Sequence, residues 1–124
     1  MTEKKIFILD DDRDILDSMR MVLEFKGYQV HTSAHPQNLH SISEEEPDLL
    51  LIDLWMSGID GSDICRQLKD NVRTKHIPVI IISANANVKE LSYTCKADGY
   101  ISKPFEIDEL LSTVQQYTRD PDKL

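Results

Sequence analysis

Short runs of consecutive apolar residues alternate along this chain with segments whose apolar residues fall at helical spacing. Ile6, Phe7, Ile8 and Leu9 form the first run, and Asp10, Asp11 and Asp12 end it. From about Asp14 to Lys26, Ile15, Met19, Val22 and Leu23 stand at i, i+4, i+7 and i+8, one stripe of an amphipathic helix. Acidic residues suit the positive end of its dipole, and Gly27 is a natural C-terminal stop. Tyr28 to His31 reads as a weak second strand, Pro36 to about Ser43 as a short helix, and Glu44, Glu45 and Glu46 as a solvated loop. The third run, Leu49 to Ile52, ends in Asp53 before a turn-prone segment with Ser57, Gly58, Asp60 and Gly61. Four apolar residues in a row between breakers suit a strand buried on both faces.

The alternation continues to the end of the chain. Gly61 to about Asn71 is helical, with Ile64, Cys65 and Leu68 inward, and Pro78 opens a fourth strand, Val79 to Ile82, ending at Ser83. Asn87 to Lys96 predicts a short polar helix. Gly99 to Ser102 predicts a fifth strand leading to Lys103, Pro104 and Phe105, and a last helix, Ile107 to Thr118, buries Ile107, Leu110, Leu111 and Val114. Strands alternating with helices imply a doubly wound parallel sheet, covered on both faces and joined by right-handed crossovers. In such a sheet the carboxyl ends of several strands border one crevice. Asp10, Asp11 and Asp12, then Asp53, Ser83 and Lys103 arrive there from separate segments. Alone, Asp53 is equally a turn-starting residue.

Composition narrows the classes. The 124 residues fit one domain, 40% hydrophobic and 29% charged, with no repeat or linker. We expect a domain over residues 1–120 and a short tail over 121–124. The net charge of −8 with no basic run argues against binding nucleic acid or an anionic membrane. No apolar run approaches the roughly 18 residues of a membrane span, and the start of the chain does not lead into a signal-peptide core. Cys65 and Cys95 lack CxxC spacing and are expected to stay reduced, so the expected compartment is the cytoplasm. His31, His35, His40 and His76 show no zinc-ligand spacing.

Chemistry enters with the strand ends. Carboxylates crowded together repel one another and call for a cation. A sulfur-free oxygen set selects a hard ion, for which Mg²⁺ with retained waters fits best. Such an ion can hold a phosphoryl oxygen, while Lys103 supplies a second cation and Ser83 a hydroxyl. One carboxylate, best Asp53, could then be a nucleophile that carries the phosphoryl group.

These residues resemble a known family. The apolar run before Asp10 and Asp11, the segment DLWMSGIDG, Ser83 with Ala84, and ADGYISKPF together look like a response-regulator receiver domain, from Lys5 to about Thr118. The resemblance implies a flavodoxin-like, three-layer α/β/α fold with five strands in the order 2-1-3-4-5 and five helices. It implies that Asp53 is the phosphoacceptor, Asp11 a direct ligand of Mg²⁺ (or Mn²⁺), Asp10 a ligand through water, and the Trp55 backbone carbonyl a further ligand. Ser83 matches the switch hydroxyl, Lys103 the phosphate-binding lysine and Tyr100 the aromatic switch, and the Lys103–Pro104 peptide is often cis. Trp55 and Asn85, two residues after the acceptor and the hydroxyl, are expected to tune the lifetime of the phosphoryl group. Ile15 and Ser18, near Pro104 and Phe105, are expected to dock the kinase. The implied partners are a histidine kinase or histidine phosphotransfer protein and a downstream protein or covalent output domain, with no direct nucleic-acid or membrane contact. Dimerisation on phosphorylation and a carrier role in a phosphorelay are both compatible.

Against functional roles stand bland ones. Asp12 and Asp14 are expected to start the first helix, Tyr100 could be plain core packing, and Phe105 a packing or docking residue. The chain also departs from the family pattern. No proline stands at Ser57 or Gly58, the interval from Ser83 to Lys103 is short, implying a shortened fourth helix or preceding loop, and Lys96 replaces a glycine. An aspartyl-phosphate phosphatase needs a second acid where Trp55 stands. A calcium loop on Asp10, Asp12 and Asp14 needs glycine at Ile15 and glutamate at Met21, and no glycine-rich nucleotide motif occurs. Met1 suggests a natural start, and both a stand-alone receiver and a segment of a larger regulator or hybrid kinase fit.

Overall fold

The computed structural model describes residues 4–33, 39–56 and 59–118, and only the backbone of residues 39–41, 55, 56 and 59. Five strands, β1 (Lys5–Leu9), β2 (Gln29–Ser33), β3 (Leu49–Asp53), β4 (Val79–Ser83) and β5 (Gly99–Ser102), form one sheet in the order β2-β1-β3-β4-β5. Every pair in it is parallel. The helices are α1 (Arg13–Phe25), α2 (Leu39–Glu45), α3 (Gly61–Asp70), α4 (Val88–Thr94) and α5 (Ile107–Thr118). This is the flavodoxin-like order expected from the resemblance.

The apolar runs are continuous because strand side chains alternate between two covered faces. Ile6, Ile8, Leu49, Leu51, Ile80, Ile82 and Ile101 meet Leu16, Met19 and Leu23 of α1 and Leu110 and Val114 of α5. Phe7, Leu9, Leu50, Ile52, Val79 and Ile81 meet Ile42, Ile64, Leu68 and Val88 from α2, α3 and α4. Pairings such as Ile6 with Leu49 and Leu51 with Ile80 keep residues of one face in register. Leu49 to Ile52 are completely buried, each worth roughly 1.5–3 kcal/mol of transfer free energy.

Local chemistry sets the helix ends. The Asp12 carboxylate accepts the backbone N–H groups of Asp14 (3.0 Å) and Ile15 (3.2 Å), so it is the N-cap foreseen for it. At the other end of α1, Gly27 has φ +100°, its N–H donates to the Glu24 carbonyl, and the Tyr28 N–H donates to the Leu23 carbonyl. That is a Schellman stop, which a glycine enters without a Cβ clash. Lys96 also has a left-handed φ, 67°, where the family pattern has glycine.

Several expectations need correction. The inward stripe of α1 is Leu16, Met19 and Leu23, while Ile15 and Val22 flank it half-buried. Ile107, the first residue of α5, is 46% exposed rather than buried, since the helix turns Leu110 and Val114 to the core instead, and Leu111 is half-buried. The helix α2 continues through Glu44 and Glu45, since solvated glutamates are good helix formers; its expected start at Pro36 lies outside the described residues. The strand β2 begins at Gln29 and runs to Ser33. A two-residue antiparallel ribbon, Trp55–Met56 with Ile59–Asp60, stands where only a turn was expected. The proline-free Ser57–Gly58 loop and the tail lie outside the described residues. The fourth helix is short, at seven residues.

Gly61 is fixed by crowding. A Cβ there would collide with the Asp53 carbonyl oxygen and come within 2.9 Å of Ile52 Cγ2. Its N–H donates to the Leu54 carbonyl at 2.6 Å, holding α3 against the end of β3. We expect Gly61→Ala to destabilise the fold by about 1–3 kcal/mol. Urea unfolding measures this, and an unchanged midpoint contradicts it.

Candidate functional site

Four strands end at the same edge, and their last residues make the site. Asp10 follows β1, Asp53 ends β3, Ser83 ends β4 and Lys103 follows β5. Asp10, Asp53 and Ser83 are buried, whereas Asp11 is exposed at the rim. Carboxylate oxygens of Asp10, Asp11 and Asp53 lie within 4.8 Å of one another. Lys103 Nζ reaches in from the other side, 3.2 Å from Asp10 Oδ2 and 3.6 Å from Asp53 Oδ1. The other Asp10 oxygen accepts the Asp12 N–H at 2.9 Å, which orients the carboxylate. Between Lys103 and Pro104 the peptide is cis, as in the family pattern.

The electrostatics follow from this crowding. Burial first, and then the Asp10 carboxylate, push Asp53 from its ordinary value of 3.8 up to about 6; Lys103 pulls the other way and Asp11 adds to the rise. Asp10 and Asp53 therefore share one ammonium group, with the Asp11 carboxylate close by at the rim. The donor set is all oxygen, with two carboxylates buried and one at the rim, and this suits a hard divalent cation that keeps some of its waters.

The remaining candidates sit around this centre. Ser83 Oγ accepts the Asn85 N–H at 2.9 Å, and Asn85 Oδ1 accepts the Asn87 N–H at 2.7 Å. The exposed Asn85 thus turns its carboxamide back into its own loop. The Lys103 N–H donates to the Ser83 carbonyl at 2.8 Å, tying the hydroxyl-bearing and lysine-bearing strand ends together. Tyr100 is 41% exposed on β5 and is not part of either core, so the plain core-packing role does not apply. The Trp55 backbone lies in the short ribbon beside Asp53; its side chain lies outside the described residues. Ile15 and Phe105 pack against the same apolar cluster. Sequence reasoning did not foresee the Lys103–Asp10 ion pair or the Asp12 amide on Asp10. No sequence spacing signals the first, but the second is a turn expected after an aspartate.

The family model described as the response regulator receiver domain matches residues 6–115. The DNA-binding dual master transcriptional regulator RpaA of Synechocystis is 31% identical over 97% of the chain, which covers 51% of that protein. The chain spans about half the length of the curated relatives it matches. Among solved structures, a response regulator of Chloroflexus aurantiacus superposes with a TM-score of 0.89 at 28% identity, covering 96% of this chain and 100% of that one. The receiver domain of a sensor histidine kinase of Pseudomonas aeruginosa, determined with a magnesium ion coordinated in its active-site cleft, has the same fold (TM-score 0.85, 22% identity, 96% and 100% covered).

The raised Asp53 value has a consequence for stability. Its folded value exceeds the unfolded one, so the contribution is fully present below about pH 4 and is lost as pH rises through about 6. Without a divalent cation, Asp53→Asn is therefore expected to be more stable than the wild type at pH 7.5, by on the order of 2 kcal/mol. The gap should shrink towards pH 4. Urea unfolding at the two pH values measures it, and a less stable variant at pH 7.5 contradicts the assignment.

Proposed function

The chain belongs to the response-regulator receiver family, a domain that is a signalling phosphoacceptor rather than an enzyme acting on others, and on that premise we propose Asp53 as its acceptor. The single observation that carries this reading is the convergence of Asp10, Asp11, Asp53 and Lys103 at one edge of the sheet. Asp53 is the central carboxylate: it ends the middle strand of the five and lies within reach of both the acidic pair and the lysine.

Receiver domains are phosphorylated by histidine kinases. In the proposed reaction, Asp53 Oδ attacks the phosphorus of a phosphohistidine on a kinase or phosphotransfer protein. The new O–P bond forms as the P–N bond breaks, and the imidazole leaves. Ionised Asp53 is the attacking form, so the reaction favours pH above the raised value. Lys103 offsets charge on the phosphoryl oxygens, leaving its contacts with Asp10 and Asp53 as it does so. Asp10, Asp11, Asp53 and the Trp55 backbone carbonyl would hold Mg²⁺ or Mn²⁺, which supplies charge neutralisation at the phosphoryl group when bound. The magnesium ion in the Pseudomonas homologue supports that choice.

The product places roughly two negative charges at Asp53. Ser83 would turn its hydroxyl to the new oxygens, and Tyr100, exposed in this structure, would move into the space released. That would bias α4, β5 and α5 towards an arrangement read by a partner or an attached output domain. The Trp55 indole would shield the acyl phosphate, Asn85 would border the path of attacking water, and Ile15 and Ser18 with Phe105 would receive the kinase. Residues 1–120 form the receiver in this reading, which works in the cytoplasm beside its kinase. No helix among the described residues is long and apolar enough to cross a membrane.

Two experiments bear on this. Incubation with Mg²⁺ and acetyl phosphate should add one phosphoryl group by intact mass, absent from Asp53→Ala and slowed roughly a hundredfold in Lys103→Ala; uptake that survives Asp53→Ala refutes the acceptor. For the switch, the double variant Ser83→Ala with Tyr100→Ala should still be phosphorylated but lose the spectral changes that phosphorylation causes around α4. Unaltered changes there mean that neither side chain transmits the signal.

A further inference from the structure

The phosphoacceptor site makes no use of the two cysteines, which the fold brings together from positions 30 residues apart. Cys65 lies in the middle of α3 and Cys95 caps the C-terminus of α4. Both are completely buried in the same apolar cluster. The Cys65 thiol donates to the carbonyl oxygen of Cys95 at 3.4 Å, and the Cys95 thiol donates to the Ser92 carbonyl at 3.4 Å. The two thiols act on each other and become unequal. The neighbouring Cys95 thiol and then burial raise Cys65 far above the usual thiol range, while the Cys65 thiol brings Cys95 down to about 7, with help from the Ala97 backbone.

We propose that Cys65 and Cys95 are a redox couple, which a peroxide oxidises to a disulfide that pins the C-terminal end of α4 to α3. Cys95 is the attacking sulfur and Cys65 the resolving one. The Cys95 thiolate attacks one peroxide oxygen, the O–O bond breaks, and Cys95 becomes a sulfenic acid as water is released. The Cys65 sulfur then attacks Cys95 Sγ, the S–O bond breaks, and the Cys65 proton leaves with the hydroxyl as a second water. Two thiols and one hydrogen peroxide thus give one disulfide and two waters.

Access comes from α4 itself. Its N-cap, Asn87, makes no side-chain capping bond, and the buried residues of this seven-residue helix are Val88 and Ser92. The residue after Cys95, Lys96, holds a left-handed φ of 67° that its side chain disfavours. A short helix with so few anchors opens locally far more readily than the sheet beneath it. Closing the disulfide would restrict that opening. The couple is independent of whether Asp53 accepts a phosphoryl group.

The test treats the full chain with hydrogen peroxide under native conditions, then blocks free thiols with N-ethylmaleimide. The expected product is two hydrogen atoms lighter, takes up no maleimide, and yields a linked pair of peptides carrying Cys65 and Cys95. Dithiothreitol should reverse it, and α4 amides should exchange roughly tenfold more slowly in the oxidised form. Cys65→Ser and Cys95→Ser should each abolish the link; if either fails to fold, the wild-type masses and peptides decide alone. The proposal is overturned by full maleimide uptake, by oxygen adducts without a link, by links between two chains, or by oxidation no faster than global unfolding. Acetyl phosphate labelling of Asp53 in the same samples reports separately on the acceptor.

Discussion

Parallel strands all finish on the same side, and here that geometry crowds three carboxylates together, two of them against the Lys103 ammonium group. In water such carboxylates would separate. In this fold they stay, because each is attached to a strand whose apolar residues are buried in the central sheet. Packing free energy therefore holds a charge arrangement that electrostatics alone would disperse. The raised Asp53 value is one sign of this tension. An incoming cation or phosphoryl group relieves it, so the apparent defect at the strand ends is the source of the chemistry.

The opposite end of the sheet shows what a balanced arrangement looks like. Lys69 Nζ sits 2.7 Å from both Asp98 Oδ2 and the Ile77 carbonyl, and the same Asp98 oxygen accepts the Val79 N–H at 2.7 Å. Asp48 likewise accepts the Lys5 N–H at 2.8 Å, while Lys5 Nζ bonds the Glu45 carbonyl. Among the described residues no buried side-chain nitrogen or oxygen lacks a partner. One pole of the molecule is thus closed by matched pairs. The other gathers like charges, held by the close approach of Gly61 to the end of β3 and by the Asp12 amide on Asp10.

How much was readable varies with the kind of evidence each element carries. The strands announced themselves, since Leu49–Ile52 and Val79–Ile82 have no polar residue to spare for a solvent face. Asp12 and Gly27 carried their capping roles openly, because these depend on atoms within three residues. The misread positions needed distant information. Whether Ile107 faces the core depends on how α5 is rotated against the sheet, and whether α1 presents Leu16 or Ile15 and Val22 depends on its own rotation there. Glu44 and Glu45, which end α2, are residues equally at home in a loop or on a helix face.

The sequence by itself determined the alternation of strands and helices, the acidic strand ends, and, through the spacing of Asp10, Asp11, Asp53, Ser83 and Lys103, the family resemblance. Those features are local or ordered along the chain, so periodicity and motif spacing express them. Only the tertiary structure decided that Lys103 faces Asp10 as well as Asp53, that Asp53 is pushed up towards neutrality, and that Cys65 and Cys95 meet between α3 and α4. Each of these depends on the distance between atoms from different elements. The chain order leaves such distances open until packing of the two sheet faces sets them.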